Sequence, residues 1–326
     1  MIMRLKSGFS GAHPNQLGCN NWSRTLISTQ KISSKTQTWR PTTNLIPAVQ
    51  YQMMHHQIRH EPVRQLLLDS PDVSYLQNNK DFATEWLNKI VASYSELDNN
   101  QKQHFVSVLD EKIERKLEEI LSVATLNIDA TNKELVSSIL NFCTNLRANA
   151  MDLLHKEKGH AHPNVRAPSW QHLQHKLQQI LSPWFQPHHL RVQQVYSHSE
   201  PALLQKIVDS MVVHKIHTPE ELINHHLGSG KRIYTYCHPS LSFPGTHILE
   251  PLMILNVAIM NQIPDTMAQV LVPNLTEQDS TVCVFYSIVS SKRGLAGIEL
   301  GNSFLKTVCK EIKHELTGIS QFVTMS

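Results

Sequence analysis

STVCVFYSIVSSKRGLAGIELGNSFLKTVCKEIKHELTGISQFVTMS, residues 280–326, reads as strand, glycine-rich turn, amphipathic helix and strand. Val282, Val284, Tyr286 and Ile288 alternate with Cys283, Phe285, Ser287 and Val289. Both sets are largely apolar, which predicts a strand covered on both faces. Gly294, Gly297 and Gly301 then mark a turn, and Leu305, Val308, Cys309 and Ile312 follow at helical spacing along one face. Phe322, Val323 and Met325 begin another strand.

A glycine-rich turn that opens a helix suits an anion. Unpaired N–H groups and the positive end of the helix dipole meet there, and glycine lets a ligand approach the backbone. The G-x-x-G-x-x-x-G spacing matches neither the dinucleotide fingerprint nor the P-loop. On spacing alone, a ligand-free strand-to-helix turn stands beside the phosphate cradle.

Upstream, Arg232–Tyr236 alternates like a strand and Leu252–Ile259 is a near-continuous apolar strand. Leu203, Leu204, Ile207, Val208 and Met211 predict a helix, and Thr218-Pro-Glu-Glu221 predicts the start of the next. Four strands are expected, at Arg232–Tyr236, Leu252–Ile259, Val282–Val289 and Gln321–Met325. Interleaved with helices, they make an α/β or α+β half.

The preceding third is helical. Phe82, Trp86, Leu87 and Ile90 form one apolar stripe. Phe105, Leu109, Ile113, Leu117, Ile120 and Ala124 form a second, with Asp110 among the charges of its solvated face. Thr131–Glu134 is a capping-box candidate for a third helix carrying Leu135, Ile139, Phe142 and Leu146. Residues 156–168 read as a connection. Ser169 can cap a fourth helix carrying Leu173, Leu177, Ile180 and Leu181. Such a bundle is by default an assembly module, and nothing in it looks catalytic. The expected division is therefore residues 1–60, a helical region 61–183 and a mixed region 184–326.

Residues 1–60 contain seven Lys or Arg and no Asp or Glu, among many Ser, Thr, Asn and Gln. Without those seven cations, 23 basic residues face 27 acidic ones, so the +3 of the whole chain is confined to this stretch. A nucleic-acid protein would keep its basic face in the folded part, so no nucleic-acid partner is expected. The composition is that of a mitochondrial transit peptide, with a polar tail and linker as the alternative. The His55, His56 and His60 cluster lacks a carboxylate or cysteine at ligand spacing, and no metal site is expected. Cys19, Cys143, Cys237, Cys283 and Cys309 form no C-x-x-C pair, which argues against a disulfide framework or structural zinc. No apolar run has membrane-spanning length.

FYSIVSSKRGLAGIELGNSFLKTVCKEI (285–312) followed by QFVTMS resembles the signature of malonyl-CoA decarboxylases: a Phe-Tyr-Ser-Ile strand, a Gly-Leu-x-Gly-x-Glu-Leu-Gly turn, a helix and a strand. HPSLSFPGTHILEPLMILNVAIM (238–260) and the segment 181–228 resemble that family too, and the match runs from about Leu177 to Ser326. Residues 242–249 are extra sequence in a loop.

The resemblance implies an N-terminal helical domain that serves homo-oligomer assembly. Beyond it would lie an incomplete acyl-CoA N-acyltransferase-like catalytic domain, giving an α plus α/β fold overall. It implies malonyl-CoA as substrate, mitochondrial location (with peroxisomal or cytoplasmic forms as alternatives) and no metal or organic cofactor. Ala296, Gly297, Ile298, Glu299, Leu300, Gly301 and Asn302 would hold the coenzyme A pyrophosphate. Glu299 would face the substrate cavity. Ser287 would be its partner or a buried hydroxyl bonded to backbone, and His238 would line the pocket or sit in a loop. Ser326 matches the catalytic serine of the family's Ser-Pro-Ile-Pro-Gly-Phe motif, whose partner histidine lies further downstream.

On this reading the sequence is a C-terminally truncated form or fragment, and its last strand leaves a bare sheet edge. A non-catalytic subunit that associates with full-length protein, or an N-acyltransferase, are the alternatives.

Overall fold

The computed structural model describes residues 2–5, 61–127, 132–158, 169–211, 216–272 and 277–325. Seven helices come first after a short strand β1 (Ile2–Leu5): α1 (Glu61–Leu68), α2 (Val73–Asn78), α3 (Lys80–Ser95), α4 (Asn99–Ser107), α5 (Glu111–Asn127), α6 (Lys133–Lys158) and α7 (Ser169–Leu181). Leu87 and Ile90 of α3, Ile113, Leu117 and Ile120 of α5, and Ile139, Phe142 and Leu146 of α6 are all buried, as their spacing requires.

The second apolar stripe is interrupted. Asp110 is no bystander on a charged face: its carboxylate accepts from the N–H groups of Lys112 (3.0 Å) and Ile113 (2.9 Å) and so starts α5 afresh after α4. The side chain of Asn132 does the same for α6, accepting from Leu135 N–H at 3.1 Å, while Thr131 lies outside the described residues.

The rest is a mixed sheet with helices on it. Its elements are β2 (Arg191–Val195), α8 (Pro201–Ser210), α9 (Pro219–His226), β3 (Lys231–Ser242), β4 (Leu249–Met260), α10 (Met267–Leu271), β5 (Val282–Ser290), α11 (Gly301–Glu315) and β6 (Gln321–Met325). The strand order is β1-β6-β5-β4-β3-β2. Every pair is antiparallel except β5 with β6, which are joined through α11 and run parallel. Of the two expected arrangements, α/β or α+β, this half takes α+β, with one parallel β-α-β unit at its end.

Two strands escaped the sequence reading. Arg191–Val195 is an edge strand with only Val195 buried, so its apolar signal is thin. Ile2–Leu5 pairs with Phe322–Met325. The edge of β6 is therefore paired and not bare, and this part of residues 1–60 belongs to the sheet. The remainder of the transit-peptide stretch, with His55, His56 and His60, lies outside the described residues.

One continuous apolar core runs from Val63 of α1 to Phe322 of β6, joining the helical region to one face of the sheet. The other face is covered by α8 and α9 around Ile207, Leu222 and Ile233, and by a small cluster around Val270 of α10. β5 is buried on both faces from Val282 to Tyr286, but Ile288 is 43% exposed.

A β-bulge interrupts the strand before Ile288. Asn256 pairs with Ser287 and Val257 with Phe285, so Tyr286 is an extra residue and alternation changes phase beyond it. Residues 242–249 form the tight β3–β4 hairpin, closed by Phe243 N–H on the Ile248 carbonyl at 2.9 Å. Among the described residues no helix is long and apolar enough to cross a membrane.

Candidate functional site

The turn between β5 and α11 is built from successive short backbone bonds. Residues Arg293–Leu295 form one 3-10 turn, after which Ala296 N–H donates to Arg293 O and Ile298 N–H to Leu295 O, both at 3.1 Å. Gly297 has φ +79°, a conformation in which a side chain is strained. No side chain caps α11. Its first ladder bond is Phe304 N–H to Leu300 O at 3.0 Å, so the N–H groups of Gly301, Asn302 and Ser303 precede the ladder. With the helix dipole, these make a positive end.

That end faces a cleft of about 620 Å³. Gly297, Ile298, Glu299, Asn302 and Ser303 form one side, continued along α11 by Lys306 and Thr307. The opposite side is Ser182, Phe185, Gln186 and Pro187, from the connection between α7 and β2. Lys306 and Glu299 are the two charged residues of this lining, and both are exposed.

The turn is fastened from behind by the helical region. Arg147 of α6 is buried, and its guanidinium donates to the Gly294 carbonyl (2.6 Å), the Gln174 carbonyl (3.0 Å) and Gln178 Oε1 (3.0 Å). Gln178 of α7 in turn donates through Nε2 to the Gly297 carbonyl at 2.9 Å. Burial lowers the Arg147 pKa, since all of these acceptors are neutral. Arg293, at the start of the turn, pairs with Asp152 of α6 at 2.5 Å.

The expected site residues fall into three groups. Gly297, Ile298, Glu299 and Asn302 line the cleft together. Ala296 is exposed on the turn and outside the lining; Leu300 is buried in the core; Gly301 opens the helix over Met253 and Ile288.

Ser287 and His238 are elsewhere. The bulge puts Ile288 on the face toward α11, so its neighbour Ser287 stands on the opposite face beside buried Asn256. His238 is buried behind the cleft wall, edge-on to Phe185 with ring centroids 5.6 Å apart. Its Nδ1 accepts from Ser240 N–H at 3.1 Å and it also bonds the Trp184 backbone. Burial holds its pKa down at about 4, with nearby His189 adding to the effect. It is a neutral, doubly bonded ring that shapes the wall. Ser326 lies outside the described residues.

Sequence reasoning missed the far wall and its fasteners. Arg147 and Gln178 lie 147 and 119 residues from the carbonyls they bind, and no local pattern marks them. Among the described residues, Glu114, Glu118 and His172 form a cluster with metal-ligand chemistry between α5 and α7, but none of the three lines the cleft.

The chain is similar to known proteins in this same region. The family model of the malonyl-CoA decarboxylase C-terminal domain matches residues 188–326. The mitochondrial malonyl-CoA decarboxylase of Anser anser anser is 32% identical over 192 residues, 57% of this chain and 36% of that protein. Its counterpart from Rattus norvegicus is 31% identical over 167 residues, 50% of this chain and 32% of that protein. The chain thus spans about a third of the length of these curated relatives.

Among solved structures, the malonyl-CoA decarboxylase from Rhodopseudomonas palustris superposes with a TM-score of 0.55 at 24% identity, over 81% of this chain and 64% of that one. The one from Cupriavidus metallidurans gives 0.56 at 22%, over 84% and 63%. At that identity these two speak for the fold. Residues 188–326 are thus similar to the C-terminal domain of malonyl-CoA decarboxylases, and the fold is that of the two solved enzymes.

Proposed function

We propose that the cleft binds the pyrophosphate of coenzyme A and that the protein decarboxylates malonyl-CoA to acetyl-CoA and carbon dioxide. The observation that carries this is the uncapped, glycine-opened start of α11 facing the cleft, inside the region matched by the family's C-terminal domain. The lone parallel pair β5–β6 joined through α11, with a bulge on β5, supports an acyl-CoA N-acyltransferase-like arrangement of this half.

Anchoring the coenzyme at the turn orients the acyl end with binding energy remote from the reaction. In the reaction, the bond between C2 and the carboxylate breaks and its electron pair passes into the thioester carbonyl. Carbon dioxide leaves, and the resulting enolate is protonated at C2. The step needs hydrogen-bond donors to the developing oxyanion and a general acid. The thioester is itself the electron sink, so the chemistry asks for no further cofactor.

Ser326 is assigned to the malonyl carboxylate and Glu299 to the substrate side of the cleft; Ser287, on the opposite face of the sheet, takes no part. Assembly of like subunits through the helical region and a mitochondrial location, the one named for the curated relatives, complete the reading.

The test is release of labelled carbon dioxide from carboxyl-labelled malonyl-CoA by the purified protein, with acetyl-CoA formed in equal amount. No release at saturating substrate overturns the assignment.

A further inference from the structure

The anion-binding turn is shaped by the helical region. Arg147 has its three acceptors on Gly294, Gln174 and Gln178, none of them a carboxylate. Among the described residues this buried guanidinium has no counter-ion, which is costly. It lies directly under the turn, with Nη2 3.9 Å from where a β-carbon on Gly297 would stand. Gln178 is the relay: its Oε1 accepts from Arg147 and its Nε2 holds the Gly297 carbonyl. Both ends of the turn are thereby tied back to α6 and α7, and the connection after α7 supplies the opposite side of the cleft.

We propose that Arg147 and Gln178 are positioning residues for the turn, with the charge of Arg147 left for an anion in the cleft to balance, so that the helical region is half of the ligand site as well as an assembly module. This rests on the reading of the cleft as a coenzyme A site. Held carbonyls at Gly294 and Gly297 fix the peptide planes of the turn, and the cation beneath adds to the field of the α11 terminus.

The test is calorimetric titration of coenzyme A into the full chain, in the wild type and in three variants. Gln178→Glu gives Arg147 a carboxylate partner while removing the donor to Gly297. It is expected to melt at or above the wild-type temperature, yet bind coenzyme A at least tenfold more weakly. A purely structural role would not separate those two readouts in this way. Gln178→Ala is expected to weaken binding about tenfold, with amide exchange quickened at residues 294–301 and unchanged in β3 and β4.

Gly297→Asp serves as the reference for the site itself. If the wild type binds, Gly297→Asp does not, and both Gln178 variants bind like the wild type, the positioning role is overturned while the site stands. If the wild type shows no saturable binding, the site and this proposal fall together.

Discussion

A β-carbon on Gly294 would stand 1.9 Å from the carbonyl oxygen of Thr144. The glycine is therefore there so that the turn can lie against the backbone of α6, and it is the neighbouring Gly297 whose positive φ shapes the turn. Two glycines of one motif answer to different forces. Gly294→Ala should destabilise the fold by about 1–3 kcal/mol through overpacking against rigid backbone. Gly301, whose nearest atoms are Met253 Cε at 3.7 Å and Ile288 Cδ1 at 3.8 Å, should accept alanine with little change. Urea unfolding of the two variants checks this, and equal midpoints would contradict it.

Arg232 is the centre of a second cross-link. It is 6% exposed and meets Glu315 at 2.6 and 2.9 Å and Glu277 at 2.8 Å, joining β3 to the end of α11 and to the segment before β5. Arg232 is buried but Glu315 is 54% exposed, so the carboxylates left by its removal stay in contact with water and the loss is chiefly that of the charge-assisted hydrogen bonds. Arg232→Met should cost about 1–2 kcal/mol, measured by chemical denaturation. A loss below about 0.5 kcal/mol would mean that the pair is no better than a surface one.

His238 gives the fold a pH dependence. Its pKa is lowered from 6.5 to about 4 by burial. The unfolded chain therefore binds a proton between those values that the folded chain does not, and stability rises with pH there. The contribution is complete above pH 6.5 and is lost progressively as pH falls toward 4. His238→Gln should flatten the stability curve across that window. An unchanged slope would show that other groups carry the acid sensitivity.

Much of this was readable beforehand because it is local. The apolar period gave β5, α11 and β6, and Thr218 with Pro219 marked the start of α9, where the Thr218 hydroxyl accepts from Glu221 N–H at 3.2 Å. The glycines marked the turn. What was not readable depends on register or distance. One bulged residue, Tyr286, moves Ser287 to the far face of the sheet, and nothing in the alternation announces it. His238 was open between the pocket and a loop, and it takes neither place: it lies in β3, with Nδ1 accepting from Ser240 N–H and the ring also bonded to the Trp184 backbone. The wall from Ser182 to Pro187 and the ties from Arg147 and Gln178 come from segments far away in sequence.

The binding claim itself is tested most directly by titrating coenzyme A into the full chain and into Gly297→Asp, whose carboxylate would stand in the turn at φ +79°. The account predicts one saturable site in the wild type, weakened by added salt, and none in the variant. Equal affinity in both proteins, or no binding by the wild type, would contradict it.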